Sequence, residues 1–217
     1  MMTEAPARAT EARSSGPRCL LCGGGSLRVV FPELPWVVEC ETCGLRFSSP
    51  QPDDQELESI YDEHYYEQFG FVEDGSGARR LARTKKATYR RVLETALPHI
   101  RSERGRLLDV GCGLGFSLLA AQDLGFDAVG LEPLAPSDPT LRPGRRILKG
   151  TLESFAAEQP FDVVSMIDVI EHVRDPVATC ARAAALLREG GVLVLATNDS
   201  SSPGARLMGS RWTHYHR

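Results

Sequence analysis

A chain of 217 residues has room for one α/β core of ordinary size and a small appendage. Its 42% hydrophobic and 25% charged residues are the composition of a folded globular protein, not a disordered one. A net charge of −4 gives no whole-chain footprint for a polyanion, no apolar run approaches a membrane helix, and residues 1–16 lack the apolar stretch of a secretory signal. A cytoplasmic protein without membrane association is expected.

Residues 1–16 are rich in Ala, Arg, Ser, Thr, Glu and Pro, bury little, and are expected to form a mobile tail. An organellar leader is the alternative, opposed by Glu4 and Glu11. The next segment, 17–48, carries Cys19, Cys22, Cys40 and Cys43 as C-x2-C, seventeen residues, C-x2-C. Each pair suits a tight knuckle that aims two thiolates at one metal, and two knuckles complete the tetrahedral shell of zinc. Gly23, Gly24, Gly25 and Gly44 follow the pairs, where such knuckles often need positive φ. Between them, LRVVF and WVVEC read as short strands around Pro32 and Pro35. Two disulfides or two redox motifs are the alternatives; a reducing compartment and the spacing favour a zinc-ribbon-like module. Four thiolates leave no position for water, so the metal is expected to be structural.

A connector, 49–77, begins SSPQPDD, where Asp53 or Asp54 suits the cap of a short helix with Leu57, Ile60 and Tyr61 on one face. Its aromatics Tyr61, Tyr65, Tyr66, Phe69 and Phe71 suit packing of the module on the following domain, or a lid over a substrate. The main domain, 78–217, opens with a helix over Ala78 to His99, with Leu81, Ala82, Tyr89, Val92, Leu93 and Leu97 on one face. Its basic residues Arg79, Arg80, Arg83, Lys85, Lys86, Arg90 and Arg91 suit a solvated face better than phosphate contacts, given the acidic balance of the chain.

The run RLLDVGCGLGFSLLAAQDLGF then reads as a buried strand over Arg106 to Val110, a turn through Gly111, Gly113 and Gly115, and a helix from Phe116 to Leu124. A strand, a glycine turn and a helix in that order make a ligand crevice at the carboxyl end of a strand. In AVGLEP, Glu132 ends a second strand, where a carboxylate can accept from both hydroxyls of a ribose. Phe116 stands where a dinucleotide motif needs a small residue, and Asp109 suits a ligand with a positive centre and no phosphate. Further on, FDVVSMIDV is a buried strand whose end leads to His172, a candidate general base or a residue that orients the loop. Cys112 in the turn and Cys180 in a helix read as small packing residues.

The string LLDVGCGLG resembles the first motif of class I S-adenosylmethionine-dependent methyltransferases, and the later motifs follow that family in order from Arg106 to Asn198. Glu132 matches the ribose-binding acid, KGTLESF the loop after the third strand, FDVVSMIDVIEHVRDP the fourth strand and its loop, and LLREGGVLVLATND the entry to the fifth. The resemblance implies a doubly wound, mostly parallel Rossmann-like sheet that binds S-adenosylmethionine through Asp109, Gly111, Cys112, Gly113, Gly115 and Glu132. It further implies Thr151, Leu152 and Glu153 beside the adenine, Asp168 beside the methionine part, and Glu171 and His172 at the substrate mouth.

The D-V-I-E-H-V-x-D-P string resembles the branch that methylates small molecules such as quinone precursors, sugars and natural products, where zinc-module members with an aromatic connector also occur. Methyl transfer to a small-molecule acceptor, most often at oxygen, is the implied activity. A ribosomal or transfer RNA methyltransferase with a zinc module, and a truncated cofactor- or partner-binding protein without activity, are the alternatives. Two departures from the family stand out. PLAPSDPTLRPG has four prolines in twelve residues, which leaves room for a very short second helix or a loop. The sequence also ends soon after the fifth strand, where the family's usual sheet continues. An incomplete domain is therefore expected, with Val192 to Ala196 as an exposed apolar edge that invites self-association.

Overall fold

Val37, Val38 and Cys40 turn inward from a short antiparallel meander made of β1 (Leu27–Phe31), β2 (Leu34–Cys40) and β3 (Arg46–Ser48). The structure, a computed structural model, describes residues 16–53, 55–56, 77–100, 105–135 and 144–215, and they fall into two compact units that part between Pro50 and Gln51. In the first unit, Leu27 pairs with Cys40 and Phe31 with Leu34 across a turn at Pro32 and Glu33, so β2 begins two residues before the expected Trp36. Glu39 ties the three strands together: its carboxylate accepts from Arg46 of β3 at 2.7 Å and from Arg28 of β1 at 2.5 Å. The Arg46 bond comes first among the causes that hold the Glu39 carboxyl below its ordinary value. The third strand was not legible in the sequence.

The second unit is built on five parallel strands in the order β6-β5-β4-β7-β8: β4 (Arg106–Val110), β5 (Asp127–Glu132), β6 (Arg146–Lys149), β7 (Phe161–Ile167) and β8 (Leu187–Ala196). Among the described residues four helices of six to eighteen residues accompany them: α1 (Gly77–Glu94), α2 (Phe116–Asp123), α3 (Pro176–Ala184) and α4 (Pro203–Met208). The alternation of strand side chains divides the core. Leu107, Ala128 and Val163 join Leu93 and Ala96 near the end of α1 and Leu118 and Ala121 of α2 in one cluster. Their neighbours Leu108, Val129 and Val164 join Ala183 of α3 and Leu186 in the other. Burial on both faces explains why the central strands read as continuous apolar runs.

Local signals set the ends of these elements. Asp175 caps α3 by accepting the Ala178 N–H at 2.8 Å, with Pro176 in the first turn, where its missing N–H costs nothing. The expected helix over Ala78 to His99 stops at Glu94 and continues as a 3-10 turn over Leu97–His99, because Pro98 cannot extend an α-helix. Strand β8 starts at Leu187 and crosses Gly190 and Gly191 with a register shift against β7. It lies at an edge of the described sheet, with Leu195 exposed. At Asp53 the N–H of Glu56 donates to the aspartate carboxylate while the Asp53 N–H donates to Glu56, a reciprocal cap. The connector aromatics, the tail through residue 15 and residues 136–143 of the proline-rich segment lie outside the described residues.

The amino ends of β4, β7 and β8 are tied by one carboxylate. Asp162 accepts the Arg106 N–H at 2.7 Å and pairs with Arg188, and the Arg106 guanidinium lies over the Phe161 ring at 4.6 Å. A Cβ at Gly105 would stand 2.0 Å from the Asp162 carboxylate, so this corner closes only around glycine. Among the described residues no helix is long and apolar enough to cross a membrane.

Candidate functional site

The strand order places β5 and β6 on one side of β4 and β7 and β8 on the other. Connections in such a sheet diverge between β4 and β7, and ligands bind at the carboxyl ends there. The loops after β4 and β7 carry the glycine turn and the segment from Asp168 to His172, while Glu132 ends β5 beside them.

The glycine turn has backbone that other residues resist. Gly111 has φ +67°, and a Cβ there would stand 2.6 Å from Val169 Cγ2 in the loop after β7. Gly113 has φ +55°, and its N–H donates to Glu132 Oε2 at 2.9 Å. The other oxygen of Glu132 accepts the Leu134 N–H at 3.0 Å, so two backbone donors hold a carboxylate that is 7% exposed. An ionised carboxylate offers about four acceptor sites, which leaves two for hydroxyls of a ligand. Gly115 is the N-cap of α2, and Arg145 buttresses the turn by donating to the Leu114 carbonyl at 2.6 Å and stacking over Phe116 at 5.3 Å.

Asp109 lies behind the turn at 3% exposure, accepting from the Ser117 and Ser165 hydroxyls at 2.5 Å each. Burial pushes its carboxyl up to about 6, against the lowering effect of the serines. Because this lies above the ordinary 3.8, its contribution to stability is complete below pH 3.8 and is lost as the pH rises through about 6. Keeping the charge at neutral pH costs the fold about 3 kcal/mol. Cys112 is buried with its Sγ over Gly130, where an added Cβ would meet it at 2.3 Å.

In the loop after β6, Thr151 and Glu153 are exposed while Leu152 is buried in the cluster with Leu131 and Phe161, so its side chain belongs to the core. Asp168 is exposed and holds φ +55°, the one non-glycine residue with positive φ among the described residues, with its N–H donated to the Ala196 carbonyl at 2.8 Å. Such strain persists where surrounding structure enforces it and gathers at functional sites. Glu171 accepts from the Asn198 amide at 3.4 Å, which links the loops after β7 and β8. His172 is exposed in the 3-10 turn Ile170–His172, and its N–H donates to the Val169 carbonyl at 2.9 Å.

Two residues near this site have features that the sequence did not announce. Arg145 gave no local signal, since its contact with Leu114 spans 31 positions. Tyr89 packs against the core from the expected apolar face of α1, half-buried, with its hydroxyl raised to about 12 by burial and then by the charges of Asp109, Asp168 and Cys112.

In the first unit, the sulfurs of Cys19, Cys22, Cys40 and Cys43 lie within 4.8 Å of one another, with Cys19 to Cys43 at 3.5 Å and Cys22 to Cys40 at 3.6 Å. The sulfur–sulfur edge of a four-thiolate zinc tetrahedron is about 3.8 Å. The two knuckles match: the Gly23 N–H returns to the Cys19 carbonyl at 2.9 Å, and the Gly44 N–H to the Cys40 carbonyl at 2.8 Å. The Cys43 N–H, ahead of opposing burial, holds the Cys40 thiol at about 6. Cys43, despite the Leu45 N–H, is pushed up to about 12 by burial and the neighbouring sulfurs. Crowded thiols of this kind are a donor set that a divalent cation relieves by displacing protons.

A parallel sheet with this order, a glycine turn after its central strand and a held carboxylate after the next defines a Rossmann-like ligand-binding domain. Residues 80–217 match the family described as Methyltransferase domain, and the chain belongs to that family. A ubiquinone biosynthesis O-methyltransferase of Cereibacter sphaeroides is 35% identical over 117 residues, 49% of this chain and 47% of that protein. Another, of Saccharophagus degradans, is 37% identical over 101 residues, 42% of this chain and 43% of that protein. The matched stretch spans a little under half the length of each of these relatives. The fold is shared with a SAM-dependent methyltransferase of Thermotoga maritima, a possible histamine N-methyltransferase, at a TM-score of 0.51 and 21% identity over 70% of this chain and 66% of that one.

Proposed function

We propose that the chain transfers the methyl group of S-adenosylmethionine to an oxygen of a small-molecule acceptor. The observation that carries this reading is Glu132, a strand-end carboxylate fixed by the Gly113 and Leu134 N–H groups with acceptor capacity left over. The donor set fits this cofactor: Asp109 and Glu132 behind one turn would repel a pyrophosphate, and they suit a ligand with a sulfonium and an ammonium. When bound, the cofactor supplies an activated methyl group. Glu132 accepts from the ribose hydroxyls, Gly111, Gly113 and Gly115 let the backbone approach, and Thr151, Glu153 and the backbone of Leu152 border the base. Asp168 and the buried charge of Asp109 face the methionine end. Positioning and exclusion of water carry most of such a transfer, and His172 takes a proton from an acceptor hydroxyl.

That the curated relatives are named O-methyltransferases supports oxygen as the acceptor atom. The ion pairs of Lys86 with Asp123 and of Arg90 with Glu94 support a solvated face on α1, in preference to phosphate contacts. Titration calorimetry with S-adenosylhomocysteine is expected to show one site in the wild type. Glu132→Ala should weaken it by about 1.5–3 kcal/mol, the range for hydrogen bonds to a charged group. Unchanged affinity in the variant would remove the ribose role of Glu132.

We further propose that Cys19, Cys22, Cys40 and Cys43 hold one structural zinc in a module over 17–48. The matching knuckles and the sulfur spacing support it. Metal analysis of protein purified under reducing conditions is expected to give about one zinc per chain, reduced by Cys40→Ser. Four free thiols and no metal would overturn it.

A further inference from the structure

Arg145, the residue before β6, places a charge where its surroundings discourage one. It is half-buried beside the amino end of α2, where the helix dipole is positive and burial works against a cation. What holds it there is the glycine turn. Its Nη1 donates to the Leu114 carbonyl at 2.6 Å, and its guanidinium carbon lies 5.3 Å from the centre of the Phe116 ring. Its stem passes over Gly115, where an added Cβ would stand 3.0 Å from Arg145 Cδ. A second bond ties the same segment to α2, since the Gln122 amide donates to the Gly144 carbonyl at 3.0 Å. Leu114, Gly115 and Phe116, three successive residues, thus meet one side chain that approaches from the start of β6.

Leu114 lies between Gly113, at φ +55°, and Gly115, at φ +74°. Glycines reach several backbone conformations at little steric cost, so the turn alone does not fix where its N–H groups point. The Leu114 carbonyl supplies the constraint. Once it accepts from Arg145, the peptide between Leu114 and Gly115 cannot rotate without breaking a charge-assisted bond. The same peptide carries the Gly115 N–H, which closes the turn on the Cys112 carbonyl at 2.8 Å, and one peptide separates it from the Gly113 N–H that holds Glu132. We propose that Arg145 is a positioning residue for cofactor binding, which locks the glycine turn in its receiving conformation before the ligand arrives. This assignment rests on the cofactor reading above and extends it to a residue outside the turn.

The test uses the full-length chain and Arg145→Met, which keeps a stem over Gly115 and removes the charge and the donor. Two measurements are paired: hydrogen exchange of single amides in the ligand-free chain, read by NMR, and the Kd of S-adenosylhomocysteine by titration calorimetry. The expected result is exchange about tenfold faster at the Gly113 and Gly115 amides, with a Kd raised about tenfold, the order of one hydrogen bond with a charged partner. Exchange at Leu108 and Val164, paired in the central strands, should not change. Should the methionine variant not fold, Arg145→Lys takes its place with the same pattern expected, because lysine lacks the planar fork and the ring stack. Faster exchange throughout the sheet would mark a general structural role and overturn the proposal. An unchanged Kd would overturn it as well, and so would unchanged exchange at the turn. Failure of the wild type to bind the probe would instead bring down the cofactor reading, and this proposal with it.

Discussion

Gly113→Val is expected to leave no measurable S-adenosylhomocysteine binding in a chain that still folds. Gly113 has φ +55°, where a branched side chain is a steric outlier, so valine drives the turn into another backbone conformation. The Gly113 N–H then leaves Glu132 Oε2, now 2.9 Å away, and the carboxylate loses one of the two donors that hold it. The turn lies beyond the last residue of β4, and neither core cluster includes Gly113, which is why the sheet should survive. Calorimetry gives the binding and circular dichroism the fold. Retained affinity in the folded variant would show that the turn does not cradle the ligand.

His172→Ala is expected to lower turnover on a hydroxyl acceptor by about 10²–10⁴, with cofactor affinity nearly unchanged. A phenol ionises only near pH 10, so attack at neutral pH benefits from a base, and imidazole exchanges protons readily in that range. His172 is exposed in a turn just past the end of β7 and belongs to neither core cluster, so its loss should not disturb the sheet. Turnover and S-adenosylhomocysteine affinity, measured side by side with one hydroxyl acceptor, separate proton transfer from binding. A loss of only a few-fold would assign His172 to orientation of the loop.

The central elements were legible because their signals are local. The apolar run through Val110, the alternating glycines and the helix from Phe116 announced β4 with its bounds, its turn, and α2 to within one residue at its end. Glu132 and Phe161–Ile167 also fell at their expected strand positions. The reading failed where partners are distant or elements short. Ser165 reaches Asp109 across 56 positions, and no spacing rule links them. Strand β3 has only three residues, too few for alternation to appear. Leu152 lies in the loop after β6 as expected, but no spacing announced that its side chain would join the core.

The corner closed by Asp162 has a consequence for how this chain can change. Since the strands are parallel, their amino ends share one rim, where Gly105, Arg106, Asp162 and Arg188 interlock, and their carboxyl ends share the opposite rim, where the loops of the candidate site lie. Substitutions at the first rim are answered by solubility and half-life; those at the second by which molecules are accepted. A descendant could exchange whole loops after β6, β7 and β8, and with them its chemical preference, while inheriting the Asp162 rim intact.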